Sequence, residues 1–245
     1  MGGGVFEEPG HLPNLRSGRG PADPYRLPRQ RRGTTPQRHG RYPDFDVLEQ
    51  AGHWDEPTRR AIMERVERVP PIRFFAPGEA RALRPFCDCV TAQDGDPRIP
   101  VLEMVDAKLH ARRLDGFRYA DMPDDRETWR GVARGLDEEA RRRGADDFAE
   151  CGADLWEAIV GDFAKGELRG GTWDELPCSR AWKVVTRAIL SEFYSHPWAW
   201  NEIGFGGPSY PRGYVRLGPG SRESWEGEEA LDLDPVGDVR RRGLP

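Results

Sequence analysis

Four apolar stripes at helical spacing, no recurrence over 20 to 50 residues and helix stops made of Gly or Pro together point to an all-α, nonrepetitive multi-helix bundle. The bundle is expected to carry a long Trp/Gly/Pro-rich C-terminal loop and extended termini. With 245 residues the chain can bury a sizeable core, and one domain is the simplest division. The expected boundaries are a basic arm over 1–41, a helical domain over 42–220 that includes a loop at 196–220, and a tail over 221–245.

The arm carries eight Lys/Arg against three Asp/Glu and is dense in Gly and Pro, so it cannot bury enough apolar area to offset the entropy of ordering. Few aromatic side chains accompany its charge and no zinc-finger spacing occurs, which argues against nucleic-acid binding. The first helix follows HWDEP: Pro57 suits a first turn, Asp55 or Glu56 suits the position before it, and Pro70-Pro71 stops the run. A second helix is expected from about Pro77 to Gln93, with Pro85 either kinking or splitting it.

Leu102, Val105 and Leu109 form the stripe of the next helix, with Glu103 and Asp106 read as its solvated face and His110 beside the stripe. No E-x-x-H pairing accompanies them, so a metal site is not expected. Trp129, Val132, Ala133, Leu136 and Ala140 mark a helix that Gly144 should end in a left-handed cap. Asp147 and Glu150 have the spacing of a capping box for a further helix with Phe148, Cys151, Leu155, Ile159 and Phe163 on one stripe. The last helix places Trp182, Val185, Ile189 and Phe193 on one side, widened by Val184 and Leu190, and Pro197 terminates it.

The segment HPWAWNEIGFGGPSYPRGYVRLGPG, 196–220, has neither helical nor strand period. Rings supply area, Pro restricts the chain and Gly permits close backbone approach, so it reads as a structured loop that caps its own core, covers a groove in another protein, or does both. Trp198, Trp200, Phe205, Tyr210 and Tyr214 are candidate interface anchors. His196 and Glu202 are the acid/base-capable groups, the raw material for an independent sugar-active lyase or hydrolase. A purely structural helical protein would instead bury the aromatic loop against itself.

No Rossmann fingerprint, haem attachment motif or nucleophile elbow is present, so no cofactor is expected in this chain. Cys87, Cys89, Cys151 and Cys178 lack ordinary zinc spacing and read as reduced thiols. No stretch is apolar and long enough to span a bilayer, and the N-terminal residues lack a signal-peptide h-region, so a cytoplasmic location is expected. Trp225 and Leu231 are the candidate anchors of the tail, which is acidic and then basic.

The phrase FYSHPWAWNEIGFGGPSYPRGY at 193–214, with RFFAPGEARALRPFCDCV at 73–90 and IPVLEMVDAKL at 99–109, resembles the gluconate 2-dehydrogenase subunit 3 family over roughly 70–220. The resemblance implies a helical small subunit, non-catalytic alone, that supports a large FAD-dependent flavoprotein of the glucose-methanol-choline (GMC) oxidoreductase class oxidising a sugar or glycoside, with electrons passing to a further acceptor. FAD is thereby expected in the partner. Trp198, Trp200, Asn201, Gly204, Gly206, Gly207, Tyr210, Pro211 and Tyr214 match the family's loop and are expected to shape or make the interface, with Asn201 pinning a turn and His196 reaching toward the partner's pocket. Members that assist export carry a twin-arginine signal. Here Arg31-Arg32 precedes GTTPQRHGRYPDFD rather than an apolar run, which favours a cytoplasmic complex and leaves co-export with a signal-bearing partner as the alternative.

Overall fold

In the computed structural model, residues 45–93, 98–114, 116–215 and 223–227 are described. The arm at 1–41 and Leu231 lie outside them, as does most of the tail. The described residues form eight α-helices, two short 3-10 helices and no strand, with no helix long and apolar enough to cross a membrane.

The chain divides into two compact units. One comprises 67–93 and 99–195. It holds α2 (Pro77–Val90), α3 (Val101–His110), α4 (Asp125–Arg142), α5 (Ala153–Lys165), the single turn α6 (Thr172–Glu175) and α7 (Cys178–Phe193). The other takes its described residues from 1–66, 94–98 and 196–245, and contains α1 (Glu56–Glu67, ending at the boundary), a 3-10 helix (Val47–His53) and α8 (Pro197–Ile203).

In the larger unit α2, α4, α5 and α7 pack around an aromatic centre. Phe163 stands 4.9 Å from Trp173, 5.2 Å from Trp182 and 5.8 Å from Phe86, ring centre to ring centre. Such tilted and edge-on pairs add roughly 0.5–1.5 kcal/mol each beyond area burial. Gly135 on α4 makes this packing fit, because a Cβ there would lie 2.5 Å from the Trp173 ring. Gly144 adopts φ 90° as expected, with Gly144 N–H donating to Arg141 and Ala145 N–H to Ala140, the paired bonds of a Schellman cap.

Of the two outcomes open at Pro85, splitting is excluded: α2 runs unbroken from Pro77 to Val90, with Ala82, Leu83, Phe86 and Cys87 buried on both sides of it. Three expectations are corrected. The 148–163 stripe is interrupted, with a 3-10 turn at Phe148–Glu150 capped by Asp147, extended backbone at Cys151, and α5 starting only at Ala153. Of the residues widening α7, Leu190 is exposed and Val184 half-buried. Glu103 and Asp106 are buried rather than solvated. Asp106 is 0% exposed and accepts from the backbone N–H groups of Arg73, Phe74 and Phe75 at 2.7, 2.9 and 2.9 Å. The carboxylate thus satisfies the three donors of the chain entering α2, while Glu103 pairs with Arg84 at 2.7 Å.

Gln93 joins the residues either side of 94–98: its Nε2 donates to Ile99 C=O at 3.1 Å and its Oε1 accepts from Ile99 N–H at 2.7 Å. All four cysteines are free thiols, and burial raises the pKa of Cys87, Cys151 and Cys178.

Candidate partner-binding segment

Residues 196–215 lie in the smaller unit and are not the irregular loop expected throughout. Pro197–Ile203 forms α8, a helix of 7 residues with His196 as N-cap and Gly204 as a left-handed C-cap at φ 67°. Pro197 sits where its missing N–H has no helical partner, so the residue that stops α7 also starts α8.

His196 is 1% exposed, and its Nδ1 accepts from Trp198 N–H at 3.2 Å. Burial lowers its pKa from 6.5 to about 4, opposed by a hydrogen bond with the Arg65 backbone. A neutral imidazole with one nitrogen accepting at a helix start is a structural cap. Glu202, half-buried, lies on the same short helix.

Asn201, 0% exposed, accepts from Val47 N–H through Oδ1 at 2.7 Å and donates to Asp46 through Nδ2 at 3.2 Å. It therefore ties α8 to the 3-10 helix Val47–His53, whose own N-cap is Asp46. Around this tie Val47, Trp54, Ile62 and Trp200 form the unit's core. Gly207, at φ 77°, adopts a backbone that only glycine takes without strain, and a Cβ on it would meet the Trp54 ring at 2.8 Å. Gly206 leaves equivalent room for Trp225.

Trp225 contacts its own unit. Arg212 stacks on its ring with the guanidinium carbon 4.1 Å from the centre, Tyr214 lies 6.1 Å away, and Gly227 N–H donates to Gly204 C=O at 3.0 Å. Burial raises the Tyr214 pKa and lowers that of Arg212.

The segment consequently has two sides. Trp200, Asn201, Gly204, Gly206 and Gly207 are buried within the unit, and Trp198 is half-buried against His196 with ring centres 5.0 Å apart. Phe205, Tyr210, Pro211 and Tyr214 are exposed, with Tyr210 at 64%, and Ile203 and Val215 join them. No group of three or more His, Cys, Asp or Glu able to hold a metal occurs among the described residues.

The family described as Gluconate 2-dehydrogenase subunit 3 matches residues 77–207, more than half of the chain and all of α2 through α8. The chain belongs to this family. No curated protein and no solved structure matches it. The match ends at Gly207, so the shared region includes His196, α8 and its glycine cap, while Tyr210, Pro211 and Tyr214 lie beyond it. Membership suggests a role as the accessory subunit of an oxidoreductase.

Asp46 has no local signature as the partner of Asn201, since 155 residues separate them. Asp106 was detectable: it stands four residues after Leu102 and three before Leu109, which is stripe spacing.

Proposed function

We propose that this chain is a non-catalytic accessory subunit that binds and stabilises an FAD-dependent GMC-type oxidoreductase acting on sugars or glycosides. The observation that carries the reading is the division of residues 196–215: Trp200, Asn201 and the glycines of the family match pack inward, which leaves Phe205 within that match, and Tyr210 and Tyr214 just beyond it, outward as aromatic anchors. Aromatics bearing a polar atom, held on an ordered backbone, contribute contact area with little further entropy loss. The flavin and the substrate pocket belong to the partner, which passes electrons to a further acceptor. Asn201 and His196 shape the face from within rather than touching substrate.

Burial of His196 disfavours the alternative of a sugar-active enzyme built on His196 and Glu202, because the imidazole is withdrawn from solvent and already capping a helix. We place the complex in the cytoplasm; four free thiols suit a reducing compartment. Co-purification of the tagged full chain from its native cells tests the proposal, with the partner's mass and visible absorption recorded. A flavin spectrum on a large co-purifying subunit is the expected result. Recovery of the chain alone overturns it.

A further inference from the structure

The larger unit holds a concave site of about 210 Å³ walled by α3, the start of α4, α7 and the connecting residues 113–114 and 117–123. Its floor is apolar, with Val105, Leu109, Met122, Trp129, Val184 and Ala188. Its rim is cationic: Lys108, Arg113, Arg118, Lys183 and Arg187 line it, against Asp125 as the one carboxylate in the lining among the described residues. Lys108 is paired with Glu192 at 2.8 Å, whereas Arg113, Arg118 and Lys183 have no carboxylate partner among the described residues. Phe117 stands at the rim 64% exposed and Leu114 is also exposed, so the apolar lining continues outward onto the surface.

Volume and charge narrow the occupant. Pockets that enclose small ligands run to roughly 300–1,000 Å³. A site of about 210 Å³ suits one or two anchoring side chains of a protein. A rim on which cations outnumber carboxylates among the described residues favours acidic residues around those anchors and repels basic ones.

We propose that this groove is a second docking site for the partner oxidoreductase, receiving an acidic segment of it with one or two apolar side chains inserted between Phe117 and α7. The proposal rests on the accessory-subunit reading and adds where, and through which chemistry, a second part of the partner is held.

The lysines make it directly testable. The chain contains three, Lys108, Lys165 and Lys183; Lys108 and Lys183 line the groove, while Lys165 lies outside the lining on α5. A carbodiimide joins an amine to a carboxylate at zero length. Treating the purified complex of full chain and flavoprotein, then mapping the products by mass spectrometry, should therefore place bonds from Lys183 to Asp or Glu of the flavoprotein, with Lys165 as internal control. In parallel, Arg118→Glu with Lys183→Glu, and separately Phe117→Ser, should each weaken the Kd for the purified flavoprotein about tenfold or more, and the charge reversal should flatten its salt dependence. All three side chains are exposed, so the melting temperature of the free chain should hold.

Three outcomes overturn the proposal while leaving the accessory-subunit reading intact. They are a Kd within about twofold of wild type for both variants, bonds from Lys183 to carboxylates of this same chain, including Glu228, Glu229, Asp232 and Asp234, and bonds to a second copy in an isotope-mixed sample. Failure of the wild-type chain to hold any flavoprotein overturns both.

Discussion

Acidification should weaken this protein through one imidazole. His196 has a folded-state pKa of about 4 against an ordinary 6.5, because burial at 1% exposure disfavours its charged form. A lowered histidine pKa means that the unfolded chain binds the proton first as pH falls. Stability is therefore fully present above pH 6.5, is lost progressively between pH 6.5 and about pH 4, and levels off below that. The whole window corresponds to about 3 kcal/mol, and the span from pH 7 to pH 5 to about 2 kcal/mol, at roughly 1.4 kcal/mol per pKa unit. The test pairs urea unfolding of the full chain at pH 7 and pH 5 with the same measurements on His196→Asn. Asparagine can still cap α8 but cannot titrate, and the carboxylates common to both proteins cancel in the comparison. The variant should be less stable than wild type at pH 7, since it loses the ring packed on Trp198, and the gap should shrink by about 2 kcal/mol at pH 5. Equal losses in the two proteins, within about 0.5 kcal/mol, would show that the buried imidazole contributes nothing to the acid response.

Asp106→Ala leaves three backbone donors unsatisfied at the entry to α2 and should cost about 3–5 kcal/mol in chemical denaturation. Asp106→Asn, which keeps an accepting oxygen, should cost clearly less. Gly207→Ala combines φ 77° with a 2.8 Å approach to Trp54, so a loss of about 1–3 kcal/mol is expected by thermal unfolding. Asn201→Ala removes the tie to Val47 and Asp46 and should cost about 2 kcal/mol, visible as faster hydrogen exchange at Val47 N–H. Tyr210→Ala should leave stability within about 0.5 kcal/mol of wild type while weakening the flavoprotein complex about tenfold, read by binding kinetics on the immobilised chain.

Periodicity made the long helices legible: α4, with 18 residues, and α7, with 16, repeat their apolar positions often enough to define a face. Length also explains what was missed. α8 has 7 residues, of which Pro197, Ala199, Trp200 and Asn201 are buried, so less than two turns of pattern were present and one of the inward positions was polar. The break before α5 escaped notice because Phe148 and Cys151 remain buried although they are not helical. The Trp156 indole donates to Phe148 C=O at 2.5 Å, a local bond that favours the turn over a continuous helix. At the candidate site, the aromatic and glycine content identified the segment, but which rings turn outward depends on Val47 and Trp54, far away in sequence, and that pairing has no local signature.

The bond between Val47 and Asn201 spans 154 positions, so the smaller unit is made from chain synthesised early and chain synthesised late. At roughly 5–20 residues per second on the ribosome, Trp54 and Ile62 emerge several seconds to about half a minute before Trp200, the aromatic that completes their core. During that interval the larger unit's residues are emerging while the first half of the smaller unit exposes apolar side chains with no native cover. Translation through the codons for 196–207 therefore controls when this part of the protein ceases to be a target for chaperones and proteases, and ribosome pausing ahead of them would lengthen the exposure.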